Sequence, residues 1–288
     1  MGVENKMEVV EKKRQYLRFV TELFQKFRKN NLFFLSNWLT YRVMLAFFPF
    51  LVLIMSLLSY MNLDTMLMTE ALKGILPEQV FKMVNNFINE TKAIRNHAVL
   101  STSIFFVVIN SINGFRAITR CINNAYDVED RRNVIMQTLL SIVLMFIFTI
   151  AILIMLTLLL FGRQLWGLLE TAFIWEPARL ITAGSAVVSL IMVIIVVMLI
   201  YKLSCTGKLK LRTVFPGAIF AVLSWIIASI IFGYFVTSFS NMSAVYGSIA
   251  GIFVLMLWLN LISVILLIGN EINAYLFRKT QKDNGKEK

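Results

Sequence analysis

Residues 242–277 read MSAVYGSIAGIFVLMLWLNLISVILLIGNEINAYLF, and this stretch decides the fold. Residues 244–270 carry no charged side chain. About 20 consecutive apolar residues span the hydrocarbon core of a bilayer as a helix. Glu271 then breaks the apolar pattern. At about 100° per residue, Asn260, Ser263, Asn270 and Glu271 fall within one arc of about 100°. A carboxylate among polar side chains on an otherwise greasy helix is costly in hydrocarbon. The rest of the chain must supply polar company for it.

The bulk composition agrees. The chain has 288 residues, 58% apolar and 15% charged, with a mean hydropathy of +0.75. Soluble domains run near 45–50% apolar and about 25% charged. The apolar runs are continuous rather than alternating, so helices and not a β-barrel cross the membrane. The expected fold is all-α. It is a polytopic membrane protein with six transmembrane helices, both termini cytoplasmic, and an N-terminal amphipathic helix. A net charge of +12 would suggest nucleic acid in a soluble protein. Here it reflects the clustering of Lys and Arg on cytoplasmic segments.

Residues 1–35 place Val9, Val10, Tyr16, Leu17, Val20, Leu23, Phe24 and Phe27 at helical spacing among Lys and Arg. That pattern predicts a basic amphipathic helix, lying on an anionic membrane surface or docked under the bundle. Six spans follow within residues 36–277, at about 38–61, 98–115, 134–161, 180–201, 214–238 and 244–277. Pro49 lies inside the first span, as a hinge or a static kink. Residues 62–97 are polar and mixed in charge, with a short amphipathic helix expected after Pro77. Trp166 and Trp175 fall in an expected outer loop at 162–179. Pro216-Gly217 would open the fifth span as its first turn. Residues 278–288 form a polar tail, expected to be disordered.

The second helical pattern runs beyond its apolar part, from Ala98 to about Asp127. On a 100° wheel Asn110, Asn113, Arg116, Arg120, Asn123, Asn124 and Asp127 share an arc of about 140°. An Asn/Arg stripe therefore starts within the membrane and runs out of it. Of the 28 Lys and Arg, 22 lie in the N-terminus, the 115–133 and 202–213 loops and the tail. The positive-inside rule makes those segments cytoplasmic. Arg116, Arg120 and Glu271 then share one depth. The stripe is either structural, with Glu271 pairing the arginines, or a surface that contacts an anionic substrate.

Several motifs carry a family resemblance over residues 30–277. They are Ala244-Val245-Tyr246-Gly247-Ser248-Ile249-Ala250-Gly251, Leu257-Trp258-Leu259 and Leu267-Ile268-Gly269-Asn270-Glu271-Ile272-Asn273. Phe215-Pro216-Gly217-Ala218, Leu45-Ala46-Phe47-Phe48-Pro49-Phe50-Leu51 and Asn124-Ala125-Tyr126-Asp127-Val128 add to them. On these the chain resembles the YihY/virulence factor BrkB family of six-span bacterial membrane proteins, once labelled ribonuclease BN. The resemblance implies a bacterial inner-membrane location and the six-span fold. The chain departs from the usual pattern at Thr40-Tyr41-Arg42, which adds a charge at the cytoplasmic mouth, and at Ser204-Cys205-Thr206, where a proline is usual.

The residues offer little to catalysis. His97 is the single histidine, and no CxxC, glycine-rich phosphate loop or GxSxG is present. No cofactor, metal or nucleic acid is expected, and the chain is not expected to be an enzyme. The expected partners are anionic membrane lipids. The leading expectation is a transporter or translocation protein for a lipid or other amphipathic anion. Arg42, Asn110, Asn113, Arg116, Arg120, Asn260 and Glu271 would line its polar, cytoplasm-facing cavity. Pro49 is the candidate hinge. Tyr246, Gly247, Ser248 and Gly251 are packing or substrate positions. The alternative is a non-transporting envelope scaffold. A wide, wet opening between the second and sixth helices would favour transport; a side-chain-filled seam would favour the scaffold.

Overall fold

The computed structural model describes residues 21–22, 25–60, 81–82, 84–86, 97–170, 178–207, 209–238 and 241–286. The expected amphipathic helix over 1–35 and the 62–97 segment lie largely outside them, as does Trp175. The described residues include six long helices. They are α1 (Leu32–Tyr60), α2 (His97–Ala125), α3 (Val134–Glu170), α4 (Ala178–Ser204), α5 (Leu211–Ser238) and α6 (Asn241–Lys286). Among the described residues, Val134–Ile154, Val187–Ser204, Leu211–Val236 and Ala250–Gln281 are long and apolar enough to cross a membrane. Leu32–Phe47 is a shorter apolar helix.

The helices overrun the expected spans. α6 continues through the expected tail to Lys286, because Lys, Gln and Arg are good helix formers in water. α3 continues to Glu170, into the expected outer loop. α5 begins at Leu211, so Pro216 lies inside the helix rather than in its first turn. Proline removes one intrahelical bond. The neighbouring N–H, that of Gly217, donates instead to Asn273 Oδ1 on α6 at 2.7 Å.

Each helix packs on its chain neighbours from α2 to α6, and α1 closes the ring on α2 and α6. α2 also touches α4 and α6, which makes it the most central helix. The main buried cluster joins one end of five helices: Ile122 of α2 with Tyr126 just past its end, Leu144 of α3, Tyr201 of α4, Val214 of α5 and Ala274 of α6. A second cluster joins Leu32 and Leu39 of α1 to Cys121 and Leu267, with Phe27 packed against it. The C-terminal ends of α2, α4 and α6 thus meet the N-terminal ends of α1, α3 and α5. The other faces are apolar and outward: Ile135 on α3 is 83% exposed, Ile231 on α5 63% and Phe253 on α6 63%. Apolar surface on this scale needs lipid rather than water around it.

Two caps close the core end. Asp127 takes a left-handed φ of 54°. Val128 N–H reaches Asn123 C=O at 3.2 Å and Asp127 N–H reaches Asn124 C=O at 3.2 Å. That is the paired C-terminal cap of a helix ended by one left-handed residue. Arg132 caps α4 in another way, its guanidinium donating to the carbonyls of Leu203, Ser204 and Cys205 at 3.3, 3.3 and 3.0 Å. Orphan carbonyls at a helix end are thereby satisfied by a side chain.

Candidate functional site at the Glu271 seam

Glu271 is buried, at 3% exposure, where α6 faces α2 and the segment leading into α1. It lines a cavity of about 10 Å³ together with Asn30, Leu32, Leu35, Cys121, Asn124, Ala125, Leu267 and Asn270. The acid therefore points into protein and toward α2. The seam is filled by side chains, with room for about one water molecule.

The partners of Glu271 come from the chain ends. Asn30 Nδ2 donates to its Oε1. The guanidinium of Arg278, about two turns further along α6, stands 3.9 Å from Oε2. Arg278 is held mainly elsewhere, by Ala125 C=O at 2.6 Å and by Asp127 at 3.6 Å. Lys26 Nζ lies 2.7 Å from the same Asp127 carboxylate. Asn31, with φ 48°, turns the chain between the helical residues 25–29 and α1. Two basic groups and two acids from three parts of the chain thus form one cluster. The hydrogen bond from Lys26 holds the Asp127 carboxyl below its ordinary value, with Arg278 and Lys29 adding to the effect.

Neighbouring polar residues fix the frame. Asn270 Nδ2 donates to Ile122 C=O at 3.2 Å. Asn123 donates to the Thr119 and Ser204 carbonyls and accepts from both N–H and hydroxyl of Thr206. Asn273 Nδ2 donates to Val214 C=O at 3.1 Å, completing its grip on α5.

The other expected site residues are dispersed. Arg116 donates to Thr138 Oγ1 and to Val134 C=O at 3.3 Å, so it ties α2 to α3. Arg120 is exposed and forms no ion pair with another described residue. The expected pairing of Glu271 with these two arginines is therefore replaced by Asn30 and Arg278. Asn110 bonds back to Phe106 C=O within α2, and Asn113 is half-buried. Asn260 joins α6 to α1 through Asn37 Oδ1 at 2.7 Å and Thr40 Oγ1 at 3.2 Å. Arg42 lies over the Trp38 ring, 5.9 Å from its centroid, which is cation–π geometry. Pro49 is inside α1. Gly251 is half-buried, while the side chains at Tyr246, Gly247 and Ser248 lie outside the described residues.

Sequence reasoning missed Asn30, Arg278 and Arg132 as site-building residues. Only Arg278 left a trace, as a basic group seven positions after Glu271 on a helix that the composition allowed to continue. Among the described residues, no group of three or more His, Cys, Asp or Glu could hold a metal ion.

An all-helical fold, apolar outer faces and a polar seam sealed by charged chain ends define an integral membrane protein. The chain belongs to the Virulence factor BrkB family, whose match covers residues 23–288. It is similar to a Bacillus subtilis (strain 168) protein named ribonuclease-like protein YfkH, with 35% identity over 266 residues, 91% of this chain and 96% of that one. It is also similar to UPF0761 membrane proteins of Aggregatibacter aphrophilus (strain NJ8700), 23% identical over 276 residues, covering 91% and 93%, and of Tolumonas auensis, 25% identical over 274 residues, covering 90% and 85%. No solved structure matches the chain.

Proposed function

We propose that this protein translocates an anionic lipid or another amphipathic anion across a bacterial inner membrane, with six spans, both termini cytoplasmic and a basic amphipathic helix at the N-terminus. The observation that carries this is Arg120, an exposed guanidinium free of any ion pair among the described residues. It continues the polar edge begun by Asn110, Asn113 and Arg116 on α2. A head group would move along this edge of the bundle, with its tails left in lipid. The sealed seam at Glu271 leaves no room for a head group inside, so an edge track supports translocation better than an interior cavity does. An exposed Arg binds phosphate or carboxylate through paired N–H donors, and Arg42 would add charge at the mouth. The test is flux of a fluorescent anionic phospholipid in proteoliposomes. Arg120→Ala is expected to slow it by about tenfold, the equivalent of one charge-assisted hydrogen bond of about 1.5 kcal/mol. Unchanged flux from folded Arg120→Ala protein would remove this role.

The side-chain-filled seam supports a second proposal, a non-transporting envelope scaffold whose partners dock on the basic N-terminus and the 62–97 segment. Lipid flux no greater than in empty vesicles would select it. We further propose that the chain is not an enzyme. The name of its Bacillus relative says ribonuclease-like; nuclease activity that co-purified and vanished on a point mutation would reverse that proposal.

A further inference from the structure

We propose that Glu271 Oε2 and Asn270 Oδ1 bind a compact monovalent cation, sodium or hydronium, in the cavity beneath residues 25–31. Both side chains are more than nine-tenths buried, at 3% and 1% exposure. Both of these oxygens are buried and receive no hydrogen bond from the protein. Buried acceptors are normally satisfied, and a buried carboxylate needs a partner in direct contact. Arg278 does not fill that place: at 3.9 Å it is beyond hydrogen-bond reach of Oε2, and Ala125 C=O and Asp127 hold it.

The ligand class follows from the lining. The polar side chains around the cavity are those of Asn30, Asn124, Asn270 and Glu271, with the thiol of Cys121. Amide and carboxylate oxygens suit a hard cation. One carboxylate is too little for calcium, which takes 6–8 oxygens and usually several carboxylates. The volume of about 10 Å³ admits one water-sized particle. The charged and titratable groups facing Glu271 are Lys26 before α1, Tyr126 and Asp127 at the end of α2, and Arg278 on α6, with Cys121 on the cavity wall. Lys26 and Arg278 balance Asp127 and Glu271. Lifting residues 25–31 removes Lys26 and the Asn30 amide together, which leaves the cluster net negative and opens a route for the ion. This site stands independently of the translocation proposal.

Cys121 is the reporter, since it lines the cavity and is buried. Cys205, buried outside the cavity lining, reports global opening. The experiment measures N-ethylmaleimide labelling of each cysteine by peptide mass spectrometry on the full chain in detergent. Rates are divided by those of the urea-unfolded chain at the same pH, and sodium chloride is compared with choline chloride at equal ionic strength. Occupancy is expected to slow Cys121 labelling by about tenfold when the ion is at ten times its dissociation constant, with Cys205 unchanged. Protection by sodium at fixed pH assigns sodium. Protection by acid in choline chloride assigns hydronium. Either protection should vanish in Glu271→Gln and strengthen in Asn270→Asp, which adds a second carboxylate. Labelling of the wild-type chain that is the same in both salts and at every pH would mean that water alone sits there, and would overturn the site.

Discussion

Single atoms set the approach of α5 to α6. A Cβ added at Gly217 would stand 2.0 Å from the carbonyl oxygen of Gly269 and 2.5 Å from the Asn273 side chain. A Cβ at Gly269 would stand 2.6 Å from the Gly217 carbonyl and 2.7 Å from the Tyr201 hydroxyl. Both obstacles include backbone, which cannot swing aside. Gly217→Ala is therefore expected to cost at least about 1–3 kcal/mol, the usual range for overpacking. Thermal unfolding in detergent measures it. Gly114 is the control, because nothing lies within 4 Å of its added Cβ. There Ala should be neutral or stabilise by up to about 1 kcal/mol, through its higher helix propensity. The residue scale also marks where sequence reading stopped. The polar arc on α6 and its turn toward α2 were legible, because a carboxylate in an apolar helix can face only protein. Its partner Asn30 was not, being 241 positions away in sequence and in a segment whose hydrophobic pattern predicted a helix on the membrane surface or docked under the bundle without naming what it would touch.

At the level of elements, several contacts hold the described part of the segment before α1 to the bundle. Lys26 bonds Asp127, Asn30 bonds Glu271, and Phe27 packs against the cluster of Leu32, Leu39 and Cys121. The Asp127 carboxyl is held below its ordinary value, first by the Lys26 hydrogen bond. A lowered carboxyl contributes stability that is fully present above its unfolded value, about 3.9. That contribution is lost as pH falls through the folded value. Residues 25–31 should thus loosen in acid below the ordinary carboxylate range. Asp127→Asn should loosen them already at neutral pH. Hydrogen exchange of these amides, corrected for the intrinsic rate, measures both effects; equal protection in the variant and the parent would exclude the Asp127 anchor. Element existence was legible from the apolar runs, and element ends were not. The α6 overrun to Lys286 and the early start of α5 follow from helix propensity and capping by remote side chains, Arg278 on Ala125 and Asn273 on Gly217. The pairing across the bundle leaves no local mark in the sequence, although the helix formers that carry α6 onward do.

For the whole molecule, the contacts gather one end of every described long helix into two adjoining buried clusters. Lys26, Arg116, Arg132, Lys202 and Arg278 all belong to that end, in keeping with the excess of basic residues on cytoplasmic segments. A reporter active only outside the cytoplasm, inserted within residues 171–177, should be active. The same reporter fused after residue 286 should be silent. Activity at both positions would require an even number of crossings between them and would exclude the proposed topology. The alternating direction of the helices was legible from charge counts. The ring order was not, because α1 closing on α6 depends on Asn37, Thr40 and Asn260 meeting across more than 200 positions of chain.

The contact between Gly217 and Gly269 has a mechanical meaning. With both glycines in place and Asn273 clamped across them, α5 and α6 behave as a ratchet with a single tooth. Sliding by one turn would drive a side chain into a backbone that has no slack. Tyr201 bolts α4 onto the same pair through the carbonyl of Leu266 at 2.7 Å. Three of the six helices therefore form the chassis at this end of the molecule. That leaves α1, α2 and α3 outside the chassis, and of these α1 carries a proline, Pro49, in its interior.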